Sequence, residues 1–291
     1  MLAAAHNEDR RLRIGVDLTT AGLDRILEHE TGDLTCTVEA GVRLSTLNEI
    51  LGRSGQRLSL DPPGDPTIGS LLARNLSGPL RHRFGAPRDL ILGVTLVLAD
   101  GTVASAGGKV VKNVAGYDLA RLVCGSRGRL ALIARASFRL HPLPRAAQTL
   151  VVETNDVAKV VALLLRSQLQ PSALDILHPG RVAVLFEGSQ RAVEAQLAAA
   201  RALVGGNEAD PGVWDESRLG QAAARGTIRF EPGRLDETLP LLSEAVVRPA
   251  AGLAYTRDAT PSGSEPQGQG PVQELSRRIE RELDPRGVFA T

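Results

Sequence analysis

Alternating apolar and polar positions predict several strands in the first half of the chain. Residues 33–41, DLTCTVEAG, alternate as a half-buried strand does, and so do residues 131–144, which end at a proline. The clearest pattern covers residues 91–108, where two alternating runs flank Asp100-Gly101. Because this dipeptide suits the tight turn of a hairpin, the pattern predicts two strands joined as a hairpin.

Apolar residues at helical spacing predict helices between these strands. The longest such segment covers residues 43–58, and shorter ones cover residues 69–78 and 118–125. Residues 22–30, GLDRILEHE, have the same spacing, which predicts a further short helix. A rigid loop precedes residue 69, because three prolines fix its backbone.

The pattern changes at Gln148. A strand is followed by a helix over residues 155–168 and then by two strands joined at Pro179-Gly180. An alanine-rich helix comes next and ends at two glycines, and one more strand and one more helix follow it. This order indicates a small α+β domain with helices on one face of an antiparallel sheet. Residues 257–271 are rich in Pro, Gly, Ser and Gln, which predicts a flexible loop, and an amphipathic helix follows it.

The composition adds to this predicted fold only by excluding some classes of protein. A hydrophobic content of 43% and a charged content of 23% are those of a soluble globular protein. The formal net charge of +1 and the aromatic content of 3% argue against a nucleic-acid-binding surface. The sequence has no apolar run long enough to span a bilayer and no signal-peptide pattern at its start. We therefore expect a cytoplasmic protein that contacts a membrane only through a partner.

Cysteine and histidine spacing gives no metal site. Cys36 and Cys124 form no CxxC pair, and the five histidines show no HxxxH or HxH spacing. We expect two free, mostly buried thiols in a reducing compartment, and no metal held by this chain alone.

Residues 62–78, PPGDPTIGSLLARNLSG, are the first candidate for ligand binding. A proline-stiffened loop leads through Thr67, Gly69 and Ser70 into a helix. Free backbone N–H groups at a helix start, beside hydroxyl groups and a glycine, suit a phosphate or pyrophosphate. The alternative interpretation is an ordinary loop.

Two basic segments are further candidates. Residues 78–90 contain Arg81, Arg83 and Arg88 with His82, which would meet an anionic ligand or a partner's carboxylates. The alternative is a solvated basic face. Residues 125–134, GSRGRLALIA, form a glycine-broken loop entering a strand, which would either lay backbone against a ligand or serve as an ordinary turn.

The segment GGKVVKNVAGYDLARL, residues 107–122, has an unusual composition for this chain. The chain has three lysines against thirty-one arginines and only two tyrosines, yet Lys109, Lys112 and Tyr117 lie within nine positions. The lysines would serve as point charges near an anionic ligand or a partner. Asp118 would cap the following helix, which needs no ligand.

Together these segments resemble one family. The run from residue 61 to residue 144 is similar to the FAD-binding domain of the vanillyl-alcohol-oxidase / p-cresol-methylhydroxylase (PCMH) type. GGKVVKNVAGYDL resembles most closely the FAD-binding subunits of glycolate oxidase, the E subunit in particular, and LDPRGVF near the C-terminus is similar to the family's closing phrase. The resemblance implies an α+β fold with a two-lobed FAD-binding domain followed by a smaller, ferredoxin-like α+β domain.

With this resemblance, we divide the chain into four parts. Residues 1–146 form an N-terminally short FAD-binding domain, residues 147–256 an α+β cap or partner domain, residues 257–271 the flexible loop, and residues 272–291 a helix returning to the FAD domain.

The resemblance also implies which residues contact FAD. In the family, the segments that match Asp61–Ser70, Asn75–Gly78 and Gly125–Ile133 lie along the cofactor, and Lys112–Leu119 marks the glycolate-oxidase branch. The implied cofactor-binding residues are Pro63, Asp65, Thr67, Ile68, Gly69, Ser70, Asn75, Ser77, Gly78, Arg88, Lys112, Asn113, Gly128 and Ile133.

The sequence departs from the family at three places. No arginine- and glycine-rich loop precedes Val16, so half of the expected phosphate cradle is missing. The family's GSEGTLGVIT reads GSRGRLALIA here, and Arg127 and Arg129 place bulk and charge beside the expected cofactor path. The H-x-G-D-G-N segment of the catalytic D subunit is absent after residue 146.

These features imply a companion flavoprotein subunit. We expect an FAD-dependent oxidoreductase subunit that takes part in electron transfer from a 2-hydroxy acid, glycolate going to glyoxylate, through the flavin to an iron–sulfur partner. The expected partners are a catalytic FAD subunit and an iron–sulfur subunit, with peripheral contact to the inner membrane through the complex. No catalytic residue is assigned. One alternative is a flavin-free assembly subunit of the same complex, and another is an independent FAD oxidase that uses molecular oxygen.

Overall fold

The computed structural model describes residues 1–8, 11–14, 16–108, 118–258 and 271–290. These residues form two main antiparallel sheets with helices packed against them, which confirms the predicted α+β class. The described strands are β1 (Leu12–Arg13), β2 (Ile26–Glu30), β3 (Thr35–Glu39), β4 (Gln56–Arg57), β5 (Ile91–Val97), β6 (Val103–Gly107), β7 (Leu132–Arg139), β8 (His141–Pro142), β9 (Ala146–Glu153), β10 (Ala173–His178), β11 (Arg181–Gly188), β12 (Asn207–Ala209), β13 (Gly226–Arg229), β14 (Ala245–Arg248), β15 (Leu253–Thr256) and β16 (Phe289–Ala290). The described α-helices are α1 (Leu2–Asn7), α2 (Leu44–Gly52), α3 (Ile68–Ala73), α4 (Arg81–Phe84), α5 (Pro87–Leu90), α6 (Leu119–Val123), α7 (Val157–Arg166), α8 (Gln190–Val204), α9 (Gly212–Ala222), α10 (Leu235–Thr238) and α11 (Pro271–Leu283).

The first sheet has the strand order β2-β3-β7-β5-β6. Val38, Leu96 and Phe138 from three of its strands are buried together with Leu47 of α2 and Leu71 of α3. The apolar stripe of α2 and the alternating strands therefore share one core, as their periodicity predicts.

The predicted hairpin is confirmed, and one predicted helix is wrong. Strands β5 and β6 pair antiparallel, and Gly101, at φ +89°, closes the turn between them. Residues 22–30 contain a strand, β2, instead of a helix, because Ile26–Glu30 pairs with β3 along the sheet edge. Pairing with a distant strand here overrides the local helical spacing.

The second sheet has the strand order β12-β9-β11-β10-β14-β15-β13. Its first part follows the chain order β9, α7, β10, β11, α8, β12, which is the predicted ferredoxin-like β-α-β-β-α-β arrangement. Helices α7 and α8 cover one face, where Val161 and Leu197 pack against Ile176 and Val184. The sequence pattern does not predict α9, β14 or β15.

Helix α9 covers part of the other face of the second sheet. Trp214 of this helix is buried against Ala173 and Ala183, and its indole N–H donates to the Thr149 hydroxyl (2.9 Å). Because side chains alternate along a strand, Asp175 points to the same face as Ala173. This face looks toward the first sheet and builds one side of the site described below.

The two ends of the chain meet beside the first sheet. Strands β1 and β16 pair in parallel, with Leu12 opposite Phe289. The Asp284 carboxylate accepts from the backbone N–H groups of Val288 and Phe289, both at 2.8 Å. The LDPRGVF segment therefore folds back next to the N-terminal strand. Most of the predicted flexible loop, residues 259–270, lies outside the described residues.

Candidate functional site

A large cleft runs between the two sheets. Its volume is about 1760 Å³, which exceeds the roughly 300–1,000 Å³ of pockets for drug-sized ligands. We call the lining residues between positions 14 and 133 the first wall, and those between positions 221 and 255 the second wall. The first wall includes α3 and the turn after it, whereas the second comes from β13, β15 and the end of α9.

Backbone hydrogen bonds hold the first wall together. The N–H groups of Gly125 and Arg127 donate to the carbonyls of Leu72 (2.9 Å) and Ala73 (2.7 Å) at the end of α3. Arg127 and Asn75 both adopt a left-handed backbone, with φ of +55° and +49°. This conformation is uncommon for residues other than glycine and is maintained only where the surroundings fix it.

Most of the described residues that the family resemblance singles out line this cleft. The first wall brings together Pro63, Thr67, Gly69, Ser70, Asn75, Ser77, Arg88, Gly128 and Ile133.

Three other singled-out residues do not line the cleft. The Asp65 carboxylate accepts from the backbone N–H and the hydroxyl of Ser45 (3.0 and 2.8 Å). Ile68 is fully buried in the first core. A Cβ atom on Gly78 would lie 1.8 Å from the Asp61 carbonyl oxygen, so this glycine allows two backbone segments to approach each other. Each of these residues has a structural role in the protein itself.

The lysine-rich segment is only partly described. Lys112 and Asn113 belong to residues 109–117, which lie outside the described residues. Asp118 is the N-cap of α6, and its carboxylate accepts from the Arg121 N–H at 3.0 Å. The cap that the sequence predicts at Asp118 is confirmed.

The free N–H groups that the sequence predicts at the start of α3 are not present in the fold, so that part of the prediction is wrong. The first three N–H groups of this helix all have partners within the protein: Ile68 donates to the Val42 carbonyl (2.9 Å), Gly69 to the Ala40 carbonyl (2.7 Å) and Ser70 to the Thr67 hydroxyl (3.3 Å). These groups are therefore not free for an anion. The same packing explains Gly69, because a Cβ there would lie 3.2 Å from the Ala40 carbonyl oxygen.

Arginines supply the positive charge of the cleft instead. Six arginines line it, and no aspartate or glutamate is among its described lining residues: Arg74, Arg81, Arg88, Arg127, Arg225 and Arg229. Within the described part of the chain, only Arg81 among them has a side-chain hydrogen bond, to the Ser77 hydroxyl at 3.1 Å. Although the whole chain is nearly neutral, the cleft suits an anionic ligand.

The basic segment at residues 78–90 is divided by the fold. Arg81 and Arg88 line the cleft, whereas the guanidinium of Arg83 lies over the Phe84 ring, 5.8 Å from its centroid. Burial lowers the pKa of Arg81, and the nearby charges of Arg248 and Arg229 lower it further. This arginine therefore lies among other cations at the place where the two walls meet.

Only one of the two arginines in GSRGRLALIA reaches the cleft. Arg127 lines it, whereas Arg129 forms an ion pair with Glu280 of α11 at 3.2 Å. The expectation that both place charge beside the cofactor path is therefore wrong for Arg129. Ile14 and the turn at residues 19–21 also line the cleft, so the segment around Val16 contributes to the first wall.

The second wall was not found from the sequence. Arg225, just before β13, and Thr227 and Arg229 within it line the cleft, and their spacing of two residues is the signal that they share one face. Tyr255 lies opposite Thr227 on the neighbouring strand β15 and is the aromatic residue among the described lining residues. Gln221 at the end of α9 completes this side.

A buried polar network joins the two walls. The Arg248 guanidinium donates to the Gln221 side-chain oxygen (2.7 Å) and the Ser77 carbonyl (3.3 Å), and its Nε lies 3.4 Å from the Asp175 carboxylate. Gln221 also donates to the Ser77 carbonyl (3.0 Å). We call this set, with Ser217, the Arg248 junction.

A second carboxylate lies half-buried next to this junction. Asp61 accepts from the Leu80 N–H (3.0 Å) and from Arg218 of α9 (3.3 Å). Burial raises the pKa of Asp61 to about 7, although the Leu80 hydrogen bond and the charges of Arg248 and Arg218 oppose the change.

The described cleft walls offer few groups for proton transfer or nucleophilic attack. They contain no histidine, lysine, aspartate or glutamate. Cys124 lines the cleft, but burial raises its pKa and that of Cys36 to about 12, so neither thiol is ionised at neutral pH. Both cysteines are free, as predicted. Among the described helices, none is long and apolar enough to cross a membrane.

The comparisons with known proteins agree with this geometry. A family model for an FAD binding domain matches residues 6–107. Glycolate oxidase subunit GlcE of Escherichia coli (strain K12) is 33% identical over 298 residues, a match covering 91% of this chain and 83% of that protein. Glycolate oxidase subunit GlcD of Bacillus subtilis (strain 168) is 33% identical over 180 residues, a match covering 59% of this chain but 37% of that protein.

A solved structure of alkyldihydroxyacetonephosphate synthase shares the fold. It superposes with a TM-score of 0.72 over 99% of this chain and 74% of that chain, at 15% sequence identity. The likeness therefore concerns the fold alone. The resemblance to PCMH-type FAD-binding proteins is confirmed, and the GlcE match extends along nearly the whole chain. The chain therefore belongs to the family of glycolate oxidase subunit GlcE.

Proposed function

We propose that this chain is an FAD-binding subunit of a glycolate-oxidase-type complex and that it holds FAD in the cleft between its two sheets. The observation that carries the proposal is a large cleft with six arginines and no carboxylate among its described lining residues. A pyrophosphate is a dianion, and guanidinium groups bind phosphate oxygens in pairs of hydrogen bonds. The size and the charge of the cleft both fit FAD.

The first wall would hold the pyrophosphate. Arg74, Arg88 and Arg127 have no carboxylate partner among the described residues, so their charges remain available for the phosphate oxygens. Hydroxyl and amide groups of Ser70 and Asn75 lie on the same wall and would add neutral hydrogen bonds. This assignment keeps the wall that the family resemblance implies but replaces helix N–H groups by arginines.

The flavin, when bound, supplies two-electron redox chemistry that the protein's own side chains lack. This chain contributes the binding site, the orientation of the ligand and a positive environment around it. Oxidation of a 2-hydroxy acid also requires a group that accepts the hydroxyl proton. The described cleft walls carry no ordinary acceptor of this kind, so we assign that step to a partner subunit.

The proposed partners follow from assigning proton transfer to another subunit. The relatives named GlcE and GlcD are both subunits of glycolate oxidase. We propose that this chain assembles with a catalytic FAD subunit and with an iron–sulfur subunit that takes single electrons onward. Any contact with a membrane would come through that assembly. Capture of the tagged chain from its native cells, followed by identification of the proteins that co-purify, tests these partners.

The visible absorption spectrum of the purified chain tests FAD binding. We expect flavin absorption bands either as purified or after incubation with FAD and removal of free ligand. Charge reversal of Arg127 and Arg88 to glutamate should abolish retention while the far-ultraviolet circular dichroism is kept. A folded wild-type chain that stays colourless after incubation with FAD would instead support the flavin-free assembly subunit.

A further inference from the structure

The ion pair between Arg248 and Asp175 is almost completely removed from water. The relative exposure of Arg248 is 3% and that of Asp175 is 0%. By the strand register the two residues face each other on β14 and β10. Burying two charges costs several kcal/mol per ion, and apolar residues of similar size often stabilise a protein as well or better. Stability alone is therefore a weak reason for this pair.

The contacts of Arg248 reach both walls of the cleft. Its terminal nitrogens donate to the Ser77 carbonyl (3.3 Å) on the first wall and to the Gln221 side chain (2.7 Å) on the second. The guanidinium carbon also lies 4.9 Å from the centroid of the Tyr255 ring. Ser77, Gln221 and Tyr255 all line the cleft, whereas Arg248 itself lies behind them.

Asp175 places a buried negative charge beside the guanidinium that makes these contacts. Its carboxylate lies 3.4 Å from the Arg248 Nε and accepts from the Ser217 hydroxyl of α9 at 2.5 Å. The Arg248 Nε has no hydrogen-bond partner among the described residues, so the directed bonds of the guanidinium are those of its two terminal nitrogens.

We propose that Arg248, charge-paired with Asp175, is a positioning residue that sets how the two walls face each other across the cofactor cleft. It holds the Ser77 backbone against Gln221 and keeps the Tyr255 ring in place. The inference rests on the proposed function insofar as the ligand is FAD. Its effect on the walls themselves is independent of any ligand.

The decisive variant replaces both charges, Arg248→Met with Asp175→Leu. Removing both partners avoids an unpaired buried charge, so the double variant should fold with stability close to that of the wild type. The matched control is Arg57→Met, because Arg57 of β4 also contacts the second sheet, through Glu187 of β11, but neither residue lines the cleft.

Hydrogen exchange of the ligand-free chain gives the first readout. In the double variant we expect the backbone amides of residues 75–78 and 253–256 to exchange at least tenfold faster, while those of residues 148–152 stay unchanged. Arg57→Met should leave residues 75–78 unchanged. Wild-type exchange at residues 75–78 and 253–256 in the stable double variant would overturn the proposal, whether or not the chain binds FAD.

FAD titration gives the second readout. We expect the double variant to bind FAD at least tenfold more weakly than the wild type, with an altered long-wavelength flavin band, and Arg248→Lys to recover part of the affinity. A double variant with wild-type affinity and band shape would overturn the proposal. A wild-type chain that binds no FAD would overturn the proposed function, and the exchange experiment would then decide the positioning role alone.

Discussion

Two polar junctions connect the second sheet to the rest of the fold, and they differ in what their charges contact. At the Arg57 junction, Arg57 and Glu187 form a two-bonded ion pair at 2.9 and 2.6 Å, with the Phe84 ring 5.4 Å from the guanidinium. At the Arg248 junction, the ion pair has one contact of 3.4 Å, and the remaining donors go to neutral groups that line the cleft. At the first junction, the terminal nitrogens of the arginine both donate to the paired carboxylate, whereas at the second they donate to groups that line the site.

The comparison shows that an ion pair between distant segments can have a role besides stabilising the fold. Arg57 and Glu187 retain side-chain exposures of 15% and 9%, so water reaches them in part. Arg248 and Asp175 are more deeply buried and less directly paired. The less favourable pair lies beside the cleft, where it touches both walls.

The largest expected effect is a difference in stability between variants of the two junctions. Arg248→Met leaves the Asp175 charge buried without its partner, so we expect the free energy of unfolding to fall by about 3–5 kcal/mol. Arg57→Met leaves Glu187 partly hydrated, and the expected loss is about 1–2 kcal/mol. Urea denaturation of both variants measures the difference. Equal losses would remove the distinction between the junctions.

The next effect concerns the backbone that the Arg248 junction holds. A Cβ at Gly78 would lie 1.8 Å from the Asp61 carbonyl oxygen, so Gly78→Ala should destabilise the protein by roughly 3 kcal/mol. Gly233→Ala is the control, because no atom lies within 4 Å of its added Cβ. A thermal unfolding midpoint for Gly78→Ala equal to that of the control would contradict the close packing of these segments.

A smaller effect is a pH dependence that comes from Asp61. Burial raises its pKa from 3.8 to about 7 in the folded chain, so the folded chain keeps this proton over a range where the unfolded chain has lost it. The free energy of unfolding should therefore fall as the pH rises from about 4 to about 7, and stay constant above that window. Asp61→Asn should flatten the profile, which denaturation at several pH values would show. If the wild type and Asp61→Asn gave profiles with the same slope, Asp61 would not be the source of the pH dependence.

The smallest expected effect is a loss of FAD affinity at the first wall. Arg127→Gln removes one charge that lines the cleft, and we expect about tenfold weaker FAD binding. Arg121→Gln is the control, because Arg121 pairs with Asp118 and does not line the cleft. Equilibrium dialysis against FAD measures both, and equal affinities would show that Arg127 is not a ligand of the phosphates.

The fold was predictable where burial follows local periodicity. Strand β5 and helix α2 follow the sequence pattern, because each of these elements places apolar residues on one buried side. Strand β2 was mispredicted as a helix, because its pairing with β3 has no local signal. Helix α9 is mostly polar along its length, and the one large apolar side chain that it buries is that of Trp214.

The site was predictable only on its first wall. The family resemblance pointed to Thr67, Ser70 and Asn75, which line the cleft. It could not show that Ala40 accepts from the Gly69 N–H, because that carbonyl belongs to a distant strand end. Arg248 was missed for the same reason, since its partners become neighbours only in the folded chain.

The central claim is that FAD binds between the two walls, and the fluorescence of the single tryptophan tests it most directly. Trp214 lies seven residues before the cleft-lining Gln221 on α9, a distance of about 10 Å along the helix. Flavin absorbs where tryptophan emits, so FAD in the cleft should quench this emission in a saturable, one-to-one titration. Arg88→Glu with Arg127→Glu should remove the quenching. Wild-type emission that stays unchanged beyond the optical absorption of free FAD would contradict the account.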